Sequence, residues 1–121
     1  MNGCEQIQRT TGLWYSAEYS TFSISDEVGK YRLTVDGYSG DAGNALMIAA
    51  FQYWESNGMM FSTPDSDNDG KPNGSCAAKQ GHGWWFRNCS ASRITRQPNG
   101  IWSTSSAAKD VEASRMLVKL N

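Results

Sequence analysis

The sequence predicts an α+β domain, a short antiparallel sheet joined to a loop-rich subdomain with one disulfide. Three stretches predict it. Tyr31, Leu33 and Val35 alternate with Arg32, Thr34 and Asp36, the pattern of a half-buried strand. Residues 65–89 hold three carboxylates, two cysteines and two adjacent tryptophans among glycines, a crosslinked and irregular segment. Met116, Val118 and Leu120 alternate with Leu117 and Lys119, which predicts a terminal strand.

The chain has 121 residues, enough for one domain with a modest core. Its 11 basic and 12 acidic side chains give a formal charge of -1 with no basic run, which argues against nucleic acid and anionic membranes as partners. No apolar segment is long enough to cross a bilayer. Residues 1–6 lack the charged and apolar regions of a signal peptide. Phe22 and Ile24 alternate with Ser23 and Ser25 as a short strand, and residues 26–30 read as a turn. The apolar run 45–53 fits a buried helix or a buried strand, and periodicity does not choose between them. Residues 56–58 break it, and Met60 and Phe61 lead into the acidic loop. Pro98, Asn99 and Gly100 read as a turn, and residues 105–115 tolerate a helix before the terminal strand. No repeat or linker divides the chain.

Asp65, Asp67 and Asp69 alternate with Ser66 and Asn68, so three like charges crowd one turn and call for a counter-ion. Hard oxygens on a glycine-containing loop suit Ca²⁺. The plain alternative is a solvated acidic turn. An EF-hand fits the first half of the loop, but its twelfth position, where a bidentate Glu closes the cage, is Cys76. No amphipathic helix flanks the loop either, because Pro64 precedes it and Gly81 and Gly83 follow.

Cys76 and Cys89 are expected to bond. Zinc needs more ligands than two cysteines and His82, and a catalytic thiol needs a base and an orienting partner. A disulfide beside a calcium loop implies an oxidising, calcium-rich compartment outside the cell. The missing signal peptide conflicts with that unless the signal has been removed or the chain is part of a longer one. Cys4 remains as a free thiol at a frayed end or as a bond to another chain.

The ordered motifs resemble the C-terminal half of a fibrinogen-related domain. They are residues 31–40 (YRLTVDGYSG), residues 42–44, residues 58–69 (GMMFSTPDSDND), Cys76-Ala77, Gly83-Trp84-Trp85, Cys89, Asn99-Gly100-Ile101-Trp102 and residues 116–120. The resemblance implies a single truncated domain over residues 1–121, without the family's N-terminal subdomain. It implies a calcium site with side-chain oxygens from Asp67 and Asp69, carbonyls near Lys71 and Asn73, and Asp65 as an outer carboxylate. It also implies a ligand pocket beside the disulfide, with a cis peptide before Cys89. The candidates there are Lys79, Gln80, His82, Trp85, Arg87, Asn88, Ser90 and Trp102. Each has a plain alternative: the tryptophans as core, His82, Lys79 and Arg87 as solvated loop residues. Of Trp84 and Trp85, at most one need face the pocket.

The sequence departs from the family where His commonly follows the second cysteine, here Ser90, and where a tyrosine-bearing strand is replaced by residues 93–102. The resemblance implies a non-enzymatic, secreted recognition module for acetylated glycans in innate immunity, with Ca²⁺ as a structural ion. Its rival is an adhesion or interaction module for extracellular proteins that has lost the sugar pocket. Oligomer formation fits either, and an enzyme is the least expected class because one histidine and these spacings assemble no catalytic constellation.

Overall fold

The computed structural model describes residues 2–9, 11–47, 54–92, 94–95, 100–103 and 108–120. In chain order the elements are β1 (Asn2–Gln8), β2 (Trp14–Ile24), β3 (Leu33–Gly40), α1 (Cys76–Gln80), β4 (Gly100–Ser103), β5 (Ala108–Val111) and β6 (Ala113–Lys119). The main sheet has the order β3-β2-β1-β6 with antiparallel neighbours, and β4 and β5 form a separate pair. The chain's two ends therefore meet, Asn2 opposite Lys119 and Gln8 opposite Ala113.

One face of this sheet carries the core. Gly3, Glu5 and Ile7 of β1 lie inward beside Ala17 and Tyr19 of β2. Gly3 is required there, since a Cβ at that position would stand 2.5 Å from the Phe22 ring. The inward row then shifts by one residue in both β2 and β3, from Tyr19 to Phe22 and from Tyr38 to Val35 and Leu33. Gly37, with φ of 70°, sits at the shift, a backbone region that favours glycine. Against the sheet pack Ala42, Ala45, Leu46, Trp84, Phe86 and Trp102, all of them buried. The run 45–53 is described only to residue 47, so its expected helix or strand lies outside the described residues, as do Pro98 and Asn99.

Several expectations are corrected. The strand expected from residue 31 begins at Leu33, and Tyr31, expected inward, is 46% exposed with φ of 55°. The 26–30 turn is present, but its hydrogen bonds continue through Tyr31 N to Asp26 O and carry Tyr31 out of the strand's row. Ile24 ends β2 beyond the packed layer and is exposed. The terminal strand exists, yet Met116, Val118 and Leu120 are exposed because β6 pairs only with β1 and no element covers it. The described part of the helix-tolerant stretch, from residue 108, forms β5 and the start of β6, and residues 105–107 lie outside the described residues. Cys4 is half-buried in mid-strand, opposite Glu18 and Leu117, and is not at a frayed end.

Candidate functional site

The acidic loop is built by its own short polar side chains. Ser62 and Trp84 exchange backbone hydrogen bonds of 3.0 and 3.1 Å, which clamps the loop entrance to the segment behind it. Thr63 and Ser66 pair across a tight turn, and the Thr63 hydroxyl donates to Asp65 Oδ1 at 2.6 Å. That bond, then a backbone bond of Asp65 itself, holds the Asp65 carboxyl below its ordinary range. Asn68 locks the stem: its N–H donates to Ser62 Oγ at 2.9 Å and its amide to Phe61 O at 3.0 Å.

Asp69 is the organising carboxylate. Its Oδ1 accepts from Lys71 N at 2.9 Å and its Oδ2 from Cys76 N at 2.8 Å, while Asp67 Oδ1 accepts from Asp69 N at 3.2 Å. Loop and helix are thus tied through one side chain. α1 begins on an N-cap, Ser75, whose hydroxyl accepts from Ala78 N, and ends on Gly81 with φ of 83°. This helix follows the loop directly where none was expected. Ser75 and Gly81 were the sequence signal for it.

A hard cation here would draw on Asp67 and Asp69, whose carboxylate oxygens accept backbone N–H groups. Among the described residues no three His, Cys, Asp or Glu side chains converge as a ligand group, so carboxylates alone make no site. Asp67 is exposed and Asp69 half-buried, Asp69 accepts from the main chain of Lys71, and an ion with six to eight oxygens would need carbonyls and water to complete its shell. Asp65 lies in the Thr63–Ser66 turn, where it accepts from the Thr63 hydroxyl.

Cys76 and Cys89 form the expected disulfide, with S–S of 2.10 Å and Cα–Cα of 5.6 Å. The Asn88–Cys89 peptide is cis. Gly70 N donates to Arg87 O at 2.7 Å, so the acidic loop lies directly on the strand-like segment entering the second cysteine.

The eight pocket candidates separate into two groups. Trp102 is fully buried and donates to Gly43 O at 3.0 Å; Trp85 is 5% exposed and donates to Tyr31 O at 2.8 Å. Both are core residues here, and Trp84 is fully buried as well, so neither member of the tryptophan pair opens to solvent. Arg87 crosslinks backbone, its Nε donating to Glu55 O at 2.9 Å and its Nη2 to Asn57 O at 2.7 Å. Ser90 Oγ donates to Ser92 O at 2.6 Å. The remaining four, Lys79, Gln80, His82 and Asn88, are exposed or half-buried along α1 and the disulfide. The Thr95 hydroxyl donates to Gly83 O at 2.8 Å, so at 2.8 Å from His82 Nδ1 it accepts, and the imidazole proton is on Nδ1.

The family model for the fibrinogen beta and gamma chains, C-terminal globular domain, matches residues 5–111. The chain belongs to this family. It is 46% identical to the fibrinogen beta chain of Gallus gallus over 70% of its own length, and 36% identical to the Homo sapiens fibrinogen gamma chain over 80%. It spans about a fifth of the length of these relatives, 20% and 22%. Among solved structures, the fibrinogen-like globe domain of human ANGPTL6 superposes with a TM-score of 0.79 at 28% identity, covering 98% of this chain and 57% of that one. The lamprey fibrin D-dimer, solved with the peptide ligand Gly-His-Arg-Pro-amide, matches with a TM-score of 0.72 at 35% identity, covering 77% of this chain and 31% of that one. The fibrinogen-like fold, its antiparallel sheet and its disulfide are thereby placed, and the domain is a recognition and interaction module of a generally non-enzymatic family.

Proposed function

We propose that the chain is an extracellular, calcium-stabilised module that binds a protein or peptide segment on the surface formed by Lys79, Gln80, His82 and Asn88. The burial of Trp85 and Trp102 carries this reading, because it removes the aromatic wall that an acetamide methyl would pack against. What remains is polar and shallow, and suits backbone amides and carbonyls. The lamprey relative's peptide complex supports the same ligand class. Calcium would be held by Asp67 and Asp69 with carbonyls of Lys71 and Asn73, and Asp65 would lie outside. Its role is to relieve the repulsion among the carboxylates and so set the loop that carries α1.

A second reading, lectin-like binding of acetylated carbohydrate in innate immunity, is favoured by the neutral amides of Gln80 and Asn88 next to the two cysteines. Calorimetry separates these claims. Calcium should bind the oxidised protein with a dissociation constant of about 0.1 to 1 mM, and Asp67→Ala and Asp69→Ala should each abolish the heat. With calcium present, Gly-His-Arg-Pro-amide and N-acetylglucosamine are titrated in turn. Heat from the peptide alone supports the interaction module; heat from the sugar alone transfers the function to the lectin reading.

A further inference from the structure

Two asparagines in this chain open an Asn-x-Ser triplet whose middle residue is not proline, Asn73-Gly74-Ser75 and Asn88-Cys89-Ser90. That triplet is the acceptor sequence for an N-linked oligosaccharide, a bulky group that needs its asparagine on the surface of a secreted chain. The two triplets flank the same disulfide, and the fold treats them differently.

Asn73 lies in the connection between Asp69 and α1, where Pro72, Asn73 and Gly74 are all exposed. The bonds that shape this connection belong to its neighbours: Lys71 N donates to Asp69 Oδ1 at 2.9 Å, Cys76 N to Asp69 Oδ2 at 2.8 Å and Ala78 N to Ser75 Oγ at 3.1 Å. The Asn73 amide has no partner among the described residues, so the loop is held without it. Gly74 takes φ of 80°, and the nearest atom to a Cβ built there is Lys71 Nζ at 3.9 Å, which leaves the space beside Asn73 open. Asn88 is the opposite case. It is half-buried, its neighbour Cys89 is bonded to Cys76, and Ser90 Oγ donates to Ser92 O at 2.6 Å and stands 3.3 Å from Ser56 Oγ, both of those serines fully buried.

We propose that Asn73 carries an N-linked oligosaccharide and that Asn88 does not. In the transfer, Asn73 Nδ2 bonds to the anomeric carbon of an oligosaccharide donated by a polyprenyl diphosphate. The bond from that carbon to the phosphate oxygen breaks, the diphosphate leaves with the electron pair, and Nδ2 gives up one proton. Only the side-chain amide is consumed, so the main-chain carbonyl of Asn73 stays available to a cation. The glycan flanks the head of α1, whereas Lys79 and Gln80 lie in its last turn, so it bounds the proposed interaction surface on the loop side and leaves it open. The proposal rests on the extracellular reading.

The test produces the full chain behind a cleavable secretion leader in a eukaryotic secretory host. The leader imposes the route, so an unmodified Asn73 counts against the site and not against the extracellular reading. Intact mass before and after peptide-N-glycosidase should differ by one oligosaccharide. Peptide mapping should then find the aspartate left by the amidase at position 73 and an intact asparagine at position 88. Asn73→Gln changes an exposed side chain with no partner among the described residues, so it tests the site without touching the fold, and it should abolish the mass difference. Ser75→Thr, which keeps both the hydroxyl of the triplet and the helix cap, should retain it. Transfer precedes export, so chain retained in the cell is read in the same way. An unmodified position 73 overturns the proposal, as does a glycan on Asn88 or a mass difference that survives Asn73→Gln.

Discussion

Glu5 should make this domain less stable as the pH rises through neutrality. It occupies an inward position of β1, opposite Ala17 and Met116, is 1% exposed, and its Oε2 meets no hydrogen-bond partner. Burial raises its carboxyl from 4.5 to about 8. The unfolded chain loses this proton near the ordinary value while the folded chain keeps it until about pH 8. Between those values the unfolded state binds fewer protons, so stability falls with pH; below and above the window the contribution is flat. Each pH unit inside it removes about 1.4 kcal/mol, or about 3 kcal/mol between pH 5 and pH 7. That is a large share of a small domain's total of roughly 5 to 15 kcal/mol. Urea unfolding followed by tryptophan fluorescence, run on wild type and Glu5→Gln across this range, reads the effect as the difference between the two curves, so other titrations cancel. The variant should gain on wild type steadily as pH rises. Curves that stay parallel would mean the Glu5 carboxyl is ionised and solvated in the folded protein, and the reasoning from its burial would fail.

Two further outcomes follow from packing and crosslinking. Gly3→Ala places a methyl 2.5 Å from Phe22 Cδ2 and should cost about 1 to 3 kcal/mol, read as a lower urea midpoint. Reducing the Cys76–Cys89 bond, in a Cys4→Ser background to prevent reshuffling, should cost about 3 kcal/mol in the same assay, given the sequence separation of 13.

The legible parts of the fold were those in which one local rule acted alone. Leu33 and Val35 alternated and were buried; Cys76 and Cys89 had no better chemistry than each other; the motif order carried the family. β1 was missed because its inward row is Gly3, Glu5 and Ile7, a glycine chosen for Phe22 and a carboxylate that periodicity scores as solvent-facing. Tyr31 was misplaced because two positive-φ residues break the strand's period just before it starts, and nothing in their side chains announces it. Trp85 and Trp102 were ambiguous between wall and core for a different reason. An indole needs one acceptor, and the acceptors here are the carbonyls of Tyr31 and Gly43, remote in sequence.

The acidic loop is bonded to the segments on both of its flanks. Asp69 reaches Cys76 N at the head of α1, Gly70 reaches Arg87 O beside the second cysteine, and Asn68 reaches Phe61 O at the loop entrance. Residues 68–70 therefore touch the disulfide-side surface on one flank and the loop entrance on the other. Asp69 in that segment, with Asp65 and Asp67 just before it, concentrates negative charge where the two flanks join. Relief of the charge by a cation at Asp67 and Asp69 would then steady the disulfide-side surface. A ligand there should accordingly bind more tightly when calcium is present, and by linkage should tighten calcium by the same factor.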